Sequence, residues 1–105
     1  MNENVGVVLY RKSDMPGTLQ AEFCHTEDGN GHGIATTLEN PPQGFEGEYR
    51  VQYFDQNGDL QAERDLEIRK EGEQYHLRWY NSNVVSGIGI GFETDEGLLV
   101  GYYDV

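Results

Sequence analysis

The pattern that most limits what this chain can fold into is an alternation of period two, broken at regular intervals by clusters of Gly, Pro, Asn and Asp. Leu60, Ala62, Leu66 and Ile68 fall on one phase together with Arg64, while Gln61, Glu63, Asp65, Glu67 and Arg69 fall on the other. A strand carrying such a pattern has one dry side and one wet side, as strands of antiparallel sheets do. Phe45, Gly47, Tyr49, Val51 and Tyr53 alternate in the same way with Glu46, Glu48, Arg50 and Gln52, and Tyr75, Leu77 and Trp79 alternate with His76, Arg78 and Tyr80. No stretch of about 11 residues keeps apolar positions at helical spacing without a Gly or Pro, so no helix is expected.

Strands are expected near residues 5–11, 18–25, 31–38, 45–54, 60–69, 74–81, 86–93 and 98–104. Between them lie short turn-forming stretches, among them Ser13-Asp14-Met15-Pro16-Gly17, Asn40-Pro41-Pro42-Gln43-Gly44 and Asp55-Gln56-Asn57-Gly58-Asp59. With 105 residues, 36% of them hydrophobic, the chain suffices for one domain and one core over residues 1–105. An open sheet of eight strands would leave two unpaired edges. Closure removes them, so the expected fold is all-β, an eight-stranded antiparallel meander closed or nearly closed into a barrel.

An offset of 58 positions brings Arg11-Lys12 onto Arg69-Lys70, Leu19 onto Leu77, and Gly29, Gly31 and Gly33 onto Gly87, Gly89 and Gly91, without a gap. This register suggests two four-stranded repeats, about 5–47 and 60–105.

Nineteen acidic against seven basic residues give a net charge of −12, and the basic residues are scattered singly or in pairs. Nucleic acid and anionic membranes are therefore poor partners. The longest apolar runs fall far short of the ~20 residues that a spanning helix needs. The acidic N-terminus lacks a signal-type apolar stretch, and a single cysteine, Cys24, forbids an internal disulfide; both point to the cytoplasm.

The succession Phe45-x-Gly47-x-Tyr49, Tyr75-x-Leu77-x-Trp79, Gly87-Ile88-Gly89-Ile90-Gly91 and Leu98-Leu99-Val100-Gly101-Tyr102 resembles small bacterial proteins with streptavidin-like or lipocalin-like (calycin) barrels. The biotin-contact motifs of streptavidin and the N-terminal Gly-x-Trp of lipocalins are not recognisable, so the resemblance implies an architecture and no particular ligand.

Candidate sites follow from this frame. The glycine triplets precede no helix, which removes the phosphate-cradling reading and leaves a structural one: bare backbone that lets the sheet coil or an aromatic lie across it. If the phase carrying Ile88 and Ile90 is interior, His32 enters the lumen of the other half and gives a pocket direction. Tyr49, Tyr53, Tyr75 and Trp79 are the expected core or pocket-lining aromatics, and with His32 they form the candidate ligand-binding set. Cys24 and His25 are strand neighbours and point to opposite faces. Only one of them can share a site with His32, so no metal site and no cofactor are expected. No acid, base and nucleophile set is recognisable, and a non-enzymatic role is expected. Asp55 to Asp59 lacks the spacing of a calcium loop and reads as a hairpin turn.

Tyr80, Tyr103 and Phe54 fall on outward phases and suggest a self-association patch. Glu46, Glu48, Glu63, Asp65 and Glu67 suggest outward carboxylate rows that a basic protein surface would recognise. The expected function is binding of a small apolar or aromatic ligand in the barrel mouth. The alternative is an acidic interaction module, either a homodimer or a decoy for a basic partner.

Overall fold

A computed structural model describes residues 3–38 and 44–105. Eight strands follow in order: β1 Gly6–Lys12, β2 Thr18–His25, β3 Gly29–Thr37, β4 Gly47–Asp55, β5 Leu60–Glu71, β6 Gln74–Asn81, β7 Val84–Thr94 and β8 Gly97–Asp104. Each pairs antiparallel with the next, and β8 pairs with β1 through Val8 opposite Val100, closing the barrel. The expected all-β meander is the fold observed. The connection at 40–43 lies outside the described residues.

Strand β7 starts two residues earlier than its alternation suggests. Ser82 and Asn83 both adopt left-handed backbone, with φ of 52° and 69°, so a two-residue turn joins β6 to β7 and Asn81 pairs directly with Val84. Two consecutive positive φ values define the hairpin turn whose twist matches that of the flanking strands.

Strand period fixes what faces the lumen. Val8 and Tyr10 of β1, Leu19 and Ala21 of β2, Ala35 of β3, Tyr49 and Val51 of β4, Leu66 and Ile68 of β5, Leu77 and Trp79 of β6, and Leu98 and Val100 of β8 are all buried. On β7 the glycines take the inner phase. Ile90 and Phe92 face outward and are 52% and 57% exposed. A Cβ at Gly89 would lie 2.9 Å from Val100 and 3.1 Å from the Trp79 ring; one at Gly33 would lie 2.9 Å from the Tyr53 ring. In β3 and β7 alike, bare backbone makes room for an aromatic from the neighbouring strand.

The lumen has two unlike ends. At the end holding the β1–β2, β5–β6 and β7–β8 turns, Phe45 lies across the opening, edge-on to Tyr75 at 6.4 Å and 90°, with the Lys12 ammonium 5.5 Å from its ring centre. Tyr49 Oη donates to the Phe45 carbonyl at 2.9 Å and fixes this plug. Nothing comparable covers the other end among the described residues.

A candidate ligand cavity at the open end

The open end collects the start of β1, the ends of β2, β4, β6 and β8, the start of β5, and the β2–β3 turn. Here the inner phase carries large rings spaced around the wall. Phe23 meets Tyr53 edge-on at 5.6 Å, Trp79 tilts against Tyr102 at 5.3 Å, and Tyr102 stacks on His25 at 5.7 Å. These rings border a cavity of about 400 Å³ that reaches down to Val8. A volume of that order accommodates one small organic molecule, and the mixture of ring faces with a few directed polar groups is typical of small-molecule sites.

The floor is polar and internally satisfied. Trp79 Nε1 donates to Tyr53 Oη at 2.7 Å, and the Tyr53 and Tyr10 hydroxyls share a hydrogen bond of 2.6 Å. Burial pushes the Tyr53 phenol up to about 12, opposed by its hydrogen bonds with Tyr10 and Trp79 and by the charge of Arg64. Burial also holds Tyr10 and Tyr102 well above the ordinary phenol range, in each case reinforced by Tyr53. All three phenols are thus neutral hydrogen-bonding groups near pH 7, and none is activated as a nucleophile.

Arg64 is the one basic side chain bordering the cavity among the described residues. The phase that buries Leu66 and Ile68 turns it inward. Its Nη1 donates to the Glu63 carbonyl at 2.8 Å, and no carboxylate lies within 4.0 Å of it among the described residues. A guanidinium has five N–H donors, so most of this fork is open to a ligand. Asp28 and Asp104 border the cavity on the side of β8 and β2, flanking His25 at 3.6 Å and 3.5 Å.

His25, Asp28 and Asp104 bring three donor atoms within 4.8 Å of one another, a grouping that alternation alone does not reveal. The imidazole is already committed. Nδ1 accepts from the Glu27 and Asp28 amides at 3.1 and 3.3 Å, which leaves the proton on Nε2, donated to Asn4 Oδ1 at 3.1 Å. A metal would have to break one of these contacts around a fully buried side chain, so the cluster reads as a structural latch. Asn4 continues that latch, accepting from the Asp104 amide at 2.8 Å and donating to its carbonyl.

Of the five residues expected to bind ligand, Tyr53 and Trp79 border the cavity. Tyr49 and Tyr75 are fully buried in the plugged half. His32 is a correction: the inner phase of β3 belongs to Gly31, Gly33 and Ala35, so His32 stands outside and stacks on Phe54 at 5.3 Å and 20°. Phe23, Arg64 and Tyr102 were missed, although Arg64 was visible as the one charge on an otherwise apolar phase. Comparisons of the chain with known protein families, curated proteins and solved structures return no match.

Proposed function

We propose that this protein binds a small aromatic or apolar-bodied ligand in the open mouth of the barrel without transforming it, in the manner of streptavidin-like and lipocalin-like barrels. The observation that carries this reading is the contrast between one plugged end and one open cavity of about 400 Å³ bordered by Phe23, Tyr53, Trp79 and Tyr102. Eight strands leave room for one such molecule where side chains do not fill the lumen.

Trp79, the single tryptophan of the chain, reports directly on the site. Small aromatic compounds titrated into the protein are expected to shift or quench its emission and to raise the melting temperature with ligand concentration, by about 2.7 kcal/mol of stability at a hundredfold excess over Kd. Emission and melting curves that ignore every aromatic compound would sink the reading.

A second reading, self-association, rests on a separate observation. Strands β7, β8 and β1 carry outward rows free of charge: Ile90, Gly101 and Val7 lie side by side, as do Phe92, Leu99 and Leu9. Val7, Tyr103, Ile90 and Phe92 are between 39% and 57% exposed. In a chain of net charge −12 a neutral face offers nothing to a basic partner, whereas a second copy presents the same apolar rows. Of the outward aromatics singled out in the sequence, only Tyr103 joins this face; Phe54 and Tyr80 sit on β4 and β6. The basic-partner alternative has less support, because Arg50 sits within the carboxylate rows and bonds Asp65 and Glu63 at 3.0 Å each. Sedimentation is expected to show a dimer that Ile90→Glu converts to monomer; a wild-type monomer removes this reading.

A further inference from the structure

Four charged side chains border the cavity: Arg64 on β5, Asp55 at the end of the adjacent β4, Asp28 on the β2–β3 turn and Asp104 on β8. Asp55 is taken up by its own turn, accepting from the Asn57 and Asp59 amides and from Gln61, which leaves Arg64 facing Asp28 and Asp104. In the closed order β1 lies between β8 and β2, and β5 is four strands from β1 in either direction. The cation and the two carboxylates therefore occupy opposite walls with the cavity between them. Among the described residues neither side has found a full counter-charge: Arg64 has no carboxylate within ion-pair distance, and Asp28 and Asp104 have only His25, whose Nδ1 already accepts from two backbone amides.

Asp28 and Asp104 stand at the exposed rim and Arg64 is half-buried, and a ligand that brings both counter-charges gains a charge-assisted contact at two points. Between the walls stand chiefly the rings of Phe23, Tyr53 and Trp79, with Ser86 beside them on β7. We infer that the mouth takes a zwitterion whose carboxylate and ammonium are separated by a short aromatic or apolar spacer, with the carboxylate on Arg64 and the ammonium between Asp28 and Asp104. An α-amino acid carries both charges on one carbon and reaches only one wall at a time. The inference rests on the mouth-binding reading and specifies its ligand.

Four compounds of nearly one shape test it: p-xylene, p-toluate, p-methylbenzylamine and p-(aminomethyl)benzoate. Each is titrated against the full chain by calorimetry and by Trp79 emission. The zwitterion is expected to bind at least about tenfold more tightly than either singly charged compound, and p-xylene to bind weakest. In Arg64→Gln the zwitterion should fall to the affinity of the amine. In Asp104→Asn, with Asp28→Asn as a companion should that variant not fold, it should fall to the affinity of the toluate.

If p-xylene binds as tightly as the zwitterion, or Arg64→Gln leaves all four affinities unchanged, the charge assignment is wrong while mouth binding stands. If either singly charged compound binds more tightly than the zwitterion, one wall has been misassigned and the inference falls. If none of the four binds or alters Trp79 emission at millimolar concentration, mouth binding itself fails, and the inference with it.

Discussion

The two ends of the barrel are built from the same residue types and do opposite things with them. At the plugged end Tyr49 and Tyr75 turn inward, Tyr49 ties down the Phe45 carbonyl, and the rings close on aliphatic neighbours such as Leu66, Ile68 and Leu77. At the open end Tyr53, Tyr102 and Trp79 stand around the wall against each other's edges and hydroxyls, and leave the centre empty. Chemical identity does not separate a core tyrosine from a cavity tyrosine. What separates them is whether something crosses the lumen to meet the ring. Phe45 does so at one end, and at the other the inward partners are glycines, which line the wall without filling it.

The largest expected effect cuts across both ends. Tyr49 and Tyr53 are each pushed up to about 12, Tyr49 by burial and then by the nearby Glu46 charge. An unfolded phenol ionises near 10, so above that pH the unfolded chain releases protons that the folded barrel retains. Stability is therefore intact below about pH 10 and is lost as pH rises toward about 12, at roughly 1.4 kcal/mol per pH unit for each such phenol. Alkaline unfolding followed by circular dichroism, with phenolate absorbance as a second probe, checks this. Below the unfolding transition, a ligand in the mouth should raise the titration midpoint of Tyr53 and leave that of Tyr49 alone; a ligand that raises both there breaks the distinction between the ends.

Next in size is Leu77→Ala in the plugged half, expected to cost about 2–5 kcal/mol in urea unfolding because close packing leaves a void there. Gly89→Ala should cost about 1–3 kcal/mol, since the new methyl meets Trp79 and Val100 inside ordinary contact distance. It should also shift Trp79 emission, which Leu77→Ala should not. Smallest is Arg64→Gln, expected to change stability by no more than about 0.5 kcal/mol while altering ligand selectivity. A cost like that of Leu77→Ala would mean that the guanidinium is structural.

The fold was legible because period-two alternation and turn chemistry are local, and local pattern is enough for a meander whose strands pair with their sequence neighbours. The Ser82-Asn83 turn escaped because neither residue is the glycine that such turns usually advertise. The site was only half legible. Alternation says that Tyr49 and Tyr53 share a face but not how far along the lumen each lies, and that distance decides between core and cavity. His32 was misplaced because the glycine phase of β7 was open to either facing, and β3 inherited the choice. His25 and Asp28 meet on one turn, but Asp104 joins them only when β8 closes on β1, a contact across nearly the whole chain.

The seam between the first and last strands ends in an amide side chain. Beyond the rung where Gly6 faces Tyr102, Asn4 imitates one more step of the ladder, bonding both backbone groups of Asp104 and the His25 ring. A rung made by a side chain loosens more readily than one made by the main chain, and this one stands at the rim of the cavity. Hydrogen exchange should find the earliest breathing of the wall there, at the weakest stitch in the cylinder.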